Sequence, residues 1–112
     1  MTSIVFGDRY IQVKGHAGYD VRGKDIVCAG ISTACNAIAA SLIALKKHGL
    51  LGELHIRAGE GEFKLSFSGE SAVARDTILA FKALFGTYAE EFPEHVNILF
   101  DGGEIHGDIM IS

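Results

Sequence analysis

The sequence contains two helical stripes of apolar residues, and each follows a pair of short β-rich runs. Apolar residues recur at steps of three and four, which keeps them on one face of an α-helix. This spacing predicts helices over about residues 25–48 and 71–92. A helix must bury such a stripe against another layer, and the β-rich runs provide that layer. The stripes are Ile31, Cys35, Ile38, Leu42 and Leu45, and then Ile78, Phe81, Phe85, Tyr88 and Phe92.

The β-rich runs predict five strands. Residues 3–14 form a hairpin around Gly7-Asp8, residues 53–68 form a second hairpin, and residues 96–100 form a last strand. The expected fold is α+β in the order ββαββα(β), with a mostly antiparallel sheet covered on one face by two helices. A chain of 112 residues fits one domain over 1–112. Residues 101–112 are interpreted as an extra strand or a tail.

The ends of the first helix carry different signals. Gly49 suits the left-handed position that ends the helix. Asp25 and Ser32 are both candidates for the N-cap. Cys28 therefore lies either in the first turn or just before it.

Composition and charge exclude several classes of function. Lys and Arg number 10 against 14 Asp and Glu, a net charge of −4, so nucleic acid is not expected as the main ligand. The apolar stretch Ile31–Leu45 is shorter than the roughly 20 residues of a bilayer span. The N-terminus lacks a secretion signal. We therefore expect a cytoplasmic protein that binds neither nucleic acid nor membrane, with a basic protein as a compatible partner.

The residues most suited to catalysis are His16 and Cys28, twelve positions apart. A cysteine is mostly protonated at neutral pH, but the positive end of a helix and an adjacent imidazolium both stabilise a thiolate. The imidazole can then protonate the departing amine. Such a pair can attack an amide bond.

Neighbouring residues fit supporting roles. Asp25, Cys28, Ser32 and Cys35 follow one another at offsets of three and four, which places them on one helix face. Asp25 or Ser32 is suited to orient the His16 ring. The backbone amides of Cys28 and Ala29 are candidates for an oxyanion hole.

Alternative roles for the cysteines and histidines remain. A cysteine in an apolar run is often a small buried hydrophobe, and Cys35 within the first stripe fits that role well. If both cysteines are helical they lie ~10 Å apart, too far for a disulfide. The five histidines lack metal-ligand spacing, so we expect neither a metal nor a cofactor.

Two segments resemble the signature of the Prp family of ribosomal-processing cysteine proteases, also called YsxB-like. They are Gly15-His16-Ala17 and Gly23-Lys24-Asp25-Ile26-Val27-Cys28-Ala29-Gly30-Ile31-Ser32. Members of this family remove a short N-terminal extension from large-subunit ribosomal protein twenty-seven. The resemblance implies that substrate, with His16 and Cys28 as the catalytic dyad and Asp25 and Ser32 as supporting residues.

The resemblance also implies a homodimer, which fits a sheet that two helices cannot cover completely. It further implies a substrate-binding loop from Gly15 to Lys24 that moves when peptide binds. Gly18 and Gly23 would supply its freedom and Tyr19 would form part of an apolar wall.

One position departs from the family pattern, because Gly30 stands where alanine is usual. We expect the missing methyl to widen the pocket. The competing hypotheses are a non-catalytic dimeric module that binds a ribosomal or assembly protein, and a redox-sensing thiol protein.

Overall fold

The computed structural model describes residues 1–15 and 26–100. These residues form one five-stranded sheet and two helices in the order predicted from the sequence. The elements are β1 (Thr2–Phe6), β2 (Tyr10–Lys14), α1 (Ile26–Lys47), β3 (Leu54–Gly59), β4 (Glu62–Phe67), α2 (Ala72–Glu91) and β5 (Val96–Phe100). The α+β prediction is confirmed. The question of a strand or tail at 101–112 lies outside the described residues.

The sheet is mixed, with the strand order β3-β4-β2-β1-β5. The β1–β2, β2–β4 and β3–β4 pairs are antiparallel, whereas β5 runs parallel to β1 with Ile98 opposite Ile4. The parallel pair follows from α2, which carries the chain back across the sheet before β5 begins. Within the described residues, β3 and β5 are the edge strands.

Both helices pack on one face of the sheet. The rings of Phe6 from β1 and Phe85 from α2 lie 5.8 Å apart between centroids, and both side chains are fully buried. The α1 stripe buries Ile31, Cys35, Ile38 and Leu42. Burial of large apolar side chains, at about 1.5–3 kcal/mol each, holds the helices on the sheet.

Local signals define the helix ends. Gly49 has a φ of 73°, and its N–H donates to the Lys46 carbonyl at 3.0 Å, as expected for the residue that ends α1. The Ser71 hydroxyl accepts a hydrogen bond from the Ala74 N–H at 3.1 Å and caps α2.

The first residue of α1 shows whether Cys28 lies inside the helix or just before it. The helix spans Ile26–Lys47, so Cys28 lies in its first turn. Ser32 as N-cap is wrong, because it lies in the second turn, after helical backbone has begun. The other candidate, Asp25, lies outside the described residues.

Length does not distinguish α1 from a membrane span. The helix has 22 residues and an 18-residue window with a mean hydropathy of 1.9, enough to cross a bilayer by length and composition. The apolar part of α1 thus extends beyond Ile31–Leu45, and the length of that stretch does not decide whether the chain has a membrane span. The stripe on α1 is buried in the core, and 33% of that window is buried in all.

The helices leave part of the apolar surface uncovered, as the sequence predicted. In β4, Phe63, Leu65 and Phe67 are buried. Their partners in β3 share the same face, yet Ile56 remains 37% exposed because it lies at the sheet edge. Leu79 on α2 is 56% exposed.

Candidate active site

Cys28 lies at the wall of an open cavity between the start of α1 and the end of the β3–β4 hairpin. This Cys28 cavity has a volume of about 310 Å³. Cys28 is not part of a disulfide, and its side chain is half-buried. The lining residues are Thr2, Val13, Gly15, Cys28, Ile31, Ser32, Cys35, Asn36, Ala58, Gly59, Gly61, Glu62 and Phe63. A nucleophile placed at such a wall is open to a ligand while the core supports it from behind.

The α1 face of the cavity carries polar residues at helical spacing. Ser32 and Asn36 follow Cys28 by one and two turns, and both are exposed. Their hydroxyl and amide groups can donate or accept hydrogen bonds with a peptide lying along the helix.

Cys35 also borders the cavity but is 5% exposed. Burial raises the pKa of its thiol from 9.0 to about 12, because the charged thiolate is disfavoured away from water. Cys35 therefore stays a neutral thiol at physiological pH, and of the two cysteines Cys28 is the candidate nucleophile.

The opposite wall is the turn between β3 and β4. Gly61 in this turn has a φ of 72°, and its carbonyl accepts a hydrogen bond of 2.8 Å from the Gly15 N–H at the end of β2. Gly15 itself has a φ of 95°, and a side chain there would collide with the backbone carbonyl of Met1. Only glycine fits this position, which fixes the exit of β2 beside the cavity.

Comparison with protein families identifies the chain. The profile of the family described as cysteine protease Prp matches residues 7–97, most of the chain. The chain belongs to the cysteine protease Prp family. A comparison with curated proteins finds no match.

Solved structures of Prp proteins share the fold. The S. aureus ribosomal processing protease Prp, in complex with a covalently linked product peptide, has 22% sequence identity and a TM-score of 0.74. The alignment covers 88% of this chain and 96% of that one. The same S. aureus protease with a substrate peptide has 21% identity and a TM-score of 0.67, over 88% and 96% of the two chains.

A Streptococcus mutans protein, SMU.848, also shares the fold, with 23% identity, a TM-score of 0.65 and coverage of 88% and 90%.

The described part of this Prp chain brings three of the predicted site residues together. Gly15, Cys28 and Ser32 all line the Cys28 cavity. Ala29 lies elsewhere, in the groove between α1 and α2, although its backbone amide belongs to the same first turn as Cys28. The predictions for His16, Gly18, Tyr19, Gly23 and Asp25 lie outside the described residues.

The prediction that Gly30 widens the substrate pocket is wrong. Gly30 does not line the Cys28 cavity but faces α2, where an added Cβ would lie 2.9 Å from Cζ of Tyr88 and closer still to its hydroxyl. Glycine at position 30 therefore makes room for the Tyr88 ring between the helices rather than for a substrate.

Sequence reasoning missed the hairpin wall and two polar residues of the cavity. Ala58 and Gly59 entered the sequence argument only as members of a hairpin, because pairing between distant strands is invisible in local patterns. Asn36 continues the Cys28 and Ser32 spacing by four, a signal that was available. Thr2 has a fully buried hydroxyl that finds no hydrogen-bond partner within residues 1–15 and 26–100.

A second cavity of about 320 Å³ lies along β2, β3 and β4. It is lined by Tyr10, His55, Ile56, Arg57, Lys64, Leu65 and Ser66. None of these residues is a cysteine, so the second cavity offers no thiol nucleophile. In residues 1–15 and 26–100, no group of three or more His, Cys, Asp or Glu side chains gathers as a metal site.

Proposed function

We propose that this Prp chain is a cysteine endopeptidase that removes the N-terminal extension of large-subunit ribosomal protein twenty-seven during ribosome maturation. One observation carries the proposal: Cys28, within the matched family segment, lies in the first turn of α1 at the wall of an open cavity. The nearby Cys35 is buried and unsuited to the same role.

In the proposed reaction Cys28 is the nucleophile and His16 is its acid and base. The Cys28 thiolate attacks the scissile carbonyl, and the C–N bond breaks as the His16 imidazolium protonates the amine. The amine product leaves and an acyl-thioester remains on Cys28. A water molecule then gives one proton to the imidazole and its oxygen attacks the thioester carbon. The C–S bond breaks, which restores the thiolate, and the carboxylic acid product loses its remaining proton to solvent.

The backbone supports both partners in this proposal. Gly15, the residue before His16 in the sequence, lines the same cavity as Cys28. The first turn of a helix presents its N–H groups towards the N-terminal end, where they favour negative charge. The Cys28 and Ala29 amides are therefore our candidates for the oxyanion hole, and Asp25 or Ser32 for the group that orients His16.

Ribosomal processing is supported by the comparisons. The S. aureus proteins that share this fold are described as an essential ribosomal processing protease, with substrate or covalently linked product peptides. Ribosomal proteins are basic, and the net charge of −4 on this chain favours their approach. Cleavage of the full-length substrate should therefore slow as salt rises, while cleavage of a short neutral peptide should not.

The deciding experiment compares the purified wild-type protein with Cys28→Ala. Each is incubated with ribosomal protein twenty-seven bearing its N-terminal extension, and the products are measured by mass spectrometry. A single cut at the end of the extension, present only with the wild type, is expected. Binding without cleavage by both proteins would instead favour the non-catalytic module.

We also propose that the protein acts in the cytoplasm as a homodimer. Exposed apolar side chains on α2, among them Leu79 and Leu84 at 56% and 43% exposure, are of the kind that association covers. Light scattering coupled to size-exclusion chromatography should give about twice the 12.0 kDa mass of the chain. A mass of one chain at micromolar concentration would contradict the dimer.

A further inference from the structure

The edge strand β3 has backbone groups that no other described strand pairs. Among the strands of residues 1–15 and 26–100, β4 alone is its neighbour. The Ser68 N–H donates to the Glu53 carbonyl at 3.0 Å, so residue 53 directs its hydrogen bonds towards β4. Because these directions alternate along an antiparallel strand, Leu54, Ile56 and Ala58 direct their N–H and C=O groups away from the sheet.

This open edge leads directly into the Cys28 cavity. Ala58 and Gly59, at the end of β3, line the cavity together with Cys28 and Ser32 of α1. A peptide extended along β3 would therefore pass from the sheet edge to the nucleophile without a turn. At about 3.3 Å per residue, the six residues of β3 provide an edge of about 20 Å.

The two faces of β3 differ in chemistry. Leu54, Ile56 and Ala58 lie on the face that carries the helices, where Ile56 and Ala58 remain exposed. His55 and Arg57 lie on the opposite face, where Arg57 is paired with Lys64 of β4. A strand added at this edge would meet apolar side chains on one face and the Arg57 guanidinium and His55 ring on the other.

We propose that the substrate segment beside the scissile bond binds as a sixth strand on the outer edge of β3. Main-chain hydrogen bonds to Ala58 and Ile56 would hold the peptide in register, and its alternate side chains would face the apolar side of β3. The preferred segment is extended, with apolar residues at alternate positions and neutral or acidic residues between them. The inference rests on the proposed function, since it describes how that same substrate reaches Cys28.

The first test uses a synthetic peptide that spans the cleavage site of ribosomal protein twenty-seven. A set of peptides, each with one N-methylated backbone amide, is cleaved by the wild type and kcat/KM is measured. In a sixth strand only every second N–H faces β3. N-methylation at alternate positions should lower kcat/KM by about fivefold or more, since one hydrogen bond is worth roughly that factor. Losses without a period of two would overturn the proposal.

The second test changes β3 itself. Ala58→Pro removes an outward N–H and leaves the bonds to β4 intact, because proline is tolerated where the N–H of an edge strand faces solvent. Ala58→Ser retains the N–H at nearly the same volume. We expect the KM for the peptide to be about tenfold higher in Ala58→Pro than in Ala58→Ser, with equal melting temperatures and equal rates of Cys28 alkylation in the two variants.

The outcomes separate this inference from the proposed function. If the KM of Ala58→Pro is unchanged, the inference that substrate binds as a sixth strand is wrong. Cleavage by the wild type would still support the proposed protease function. A peptide that the wild type neither cleaves nor binds overturns both. A dimer that dissociates on Ala58→Pro, as measured by light scattering, would show that a second copy of this chain covers the edge instead.

Discussion

Cys28 and Cys35 lie on the same face of α1, two turns apart, yet the structure gives them opposite properties. Cys35 belongs to the buried core, and its thiol has a pKa raised to about 12. Cys28 packs only against the margin of that core and borders the open cavity. Two cysteines on one helix face can therefore differ in burial, one inside the core and the other at the border of a cavity. The difference in burial follows from position along α1: Cys28 lies in the first turn, beside the cavity, whereas Cys35 lies two turns further on, over the core.

The largest expected effect separates the cysteines by activity. Cys28→Ser should lower kcat for the ribosomal substrate by at least ~10³-fold, because the hydroxyl is a far weaker nucleophile without the activation a thiolate has. Cys35→Ala should retain kcat within about threefold and lower the free energy of unfolding by about 1 kcal/mol through the lost packing. Steady-state kinetics measure kcat for both variants, and urea titrations measure their free energies of unfolding. An active Cys28→Ser protein would contradict the assignment of the nucleophile to Cys28.

Alkylation tests the same contrast without a substrate. At pH 7.5 iodoacetamide should modify Cys28 at least ~100-fold faster than Cys35, because only a thiolate reacts and burial holds Cys35 as a thiol. Peptide mapping by mass spectrometry gives both rates. In 6 M guanidinium chloride the two cysteines should react alike. Rapid modification of Cys35 in the folded protein would mean that the α1 stripe opens.

Local periodicity was sufficient to predict much of this fold. The stepping of Ile31, Cys35 and Ile38 identified α1 and its buried face, and alternation identified both hairpins. The parallel pairing of β5 with β1 was not predicted, because it depends on how α2 packs before β5 joins the sheet. The helical wall of the site was readable from spacing, whereas the hairpin wall required the three-dimensional pairing of β3, β4 and β2.

Gly30 illustrates a second limit of sequence reasoning. Gly30 does not line the Cys28 cavity because this part of α1 faces α2. The neighbouring Tyr88 ring belongs to a residue 58 positions later in the chain. A comparison of residue types at one position detects a missing methyl but does not identify the neighbour that occupies its space.

The packing of α1 against α2, on the face of α1 away from the Cys28 cavity, can be tested by substituting two glycines. Gly86 in α2 has open space where a Cβ would lie, so Gly86→Ala should raise the free energy of unfolding by about 0.5–1 kcal/mol. Gly30→Ala should lower it by about 1–3 kcal/mol, because Tyr88 must move. Urea titrations measure both values. Equal gains in the two variants would contradict the close approach of Tyr88 to α1.

The smallest expected effect is the pH dependence that Cys35 contributes to stability. Its pKa is raised from 9.0 to about 12 in the folded protein, so the contribution is fully present below pH 9 and is lost as pH rises towards 12. Between pH 8 and 10 the free energy of unfolding should fall by about 1 kcal/mol more in the wild type than in Cys35→Ala. Other groups that titrate in this range are common to both proteins and cancel in the difference. Urea titrations at pH 8, 9 and 10 give the two slopes, and parallel slopes would mean that Cys35 ionises as readily in the folded chain as in the unfolded one. In that case the slow alkylation expected for Cys35 at pH 7.5 would have to come from its lack of contact with solvent and not from a raised pKa.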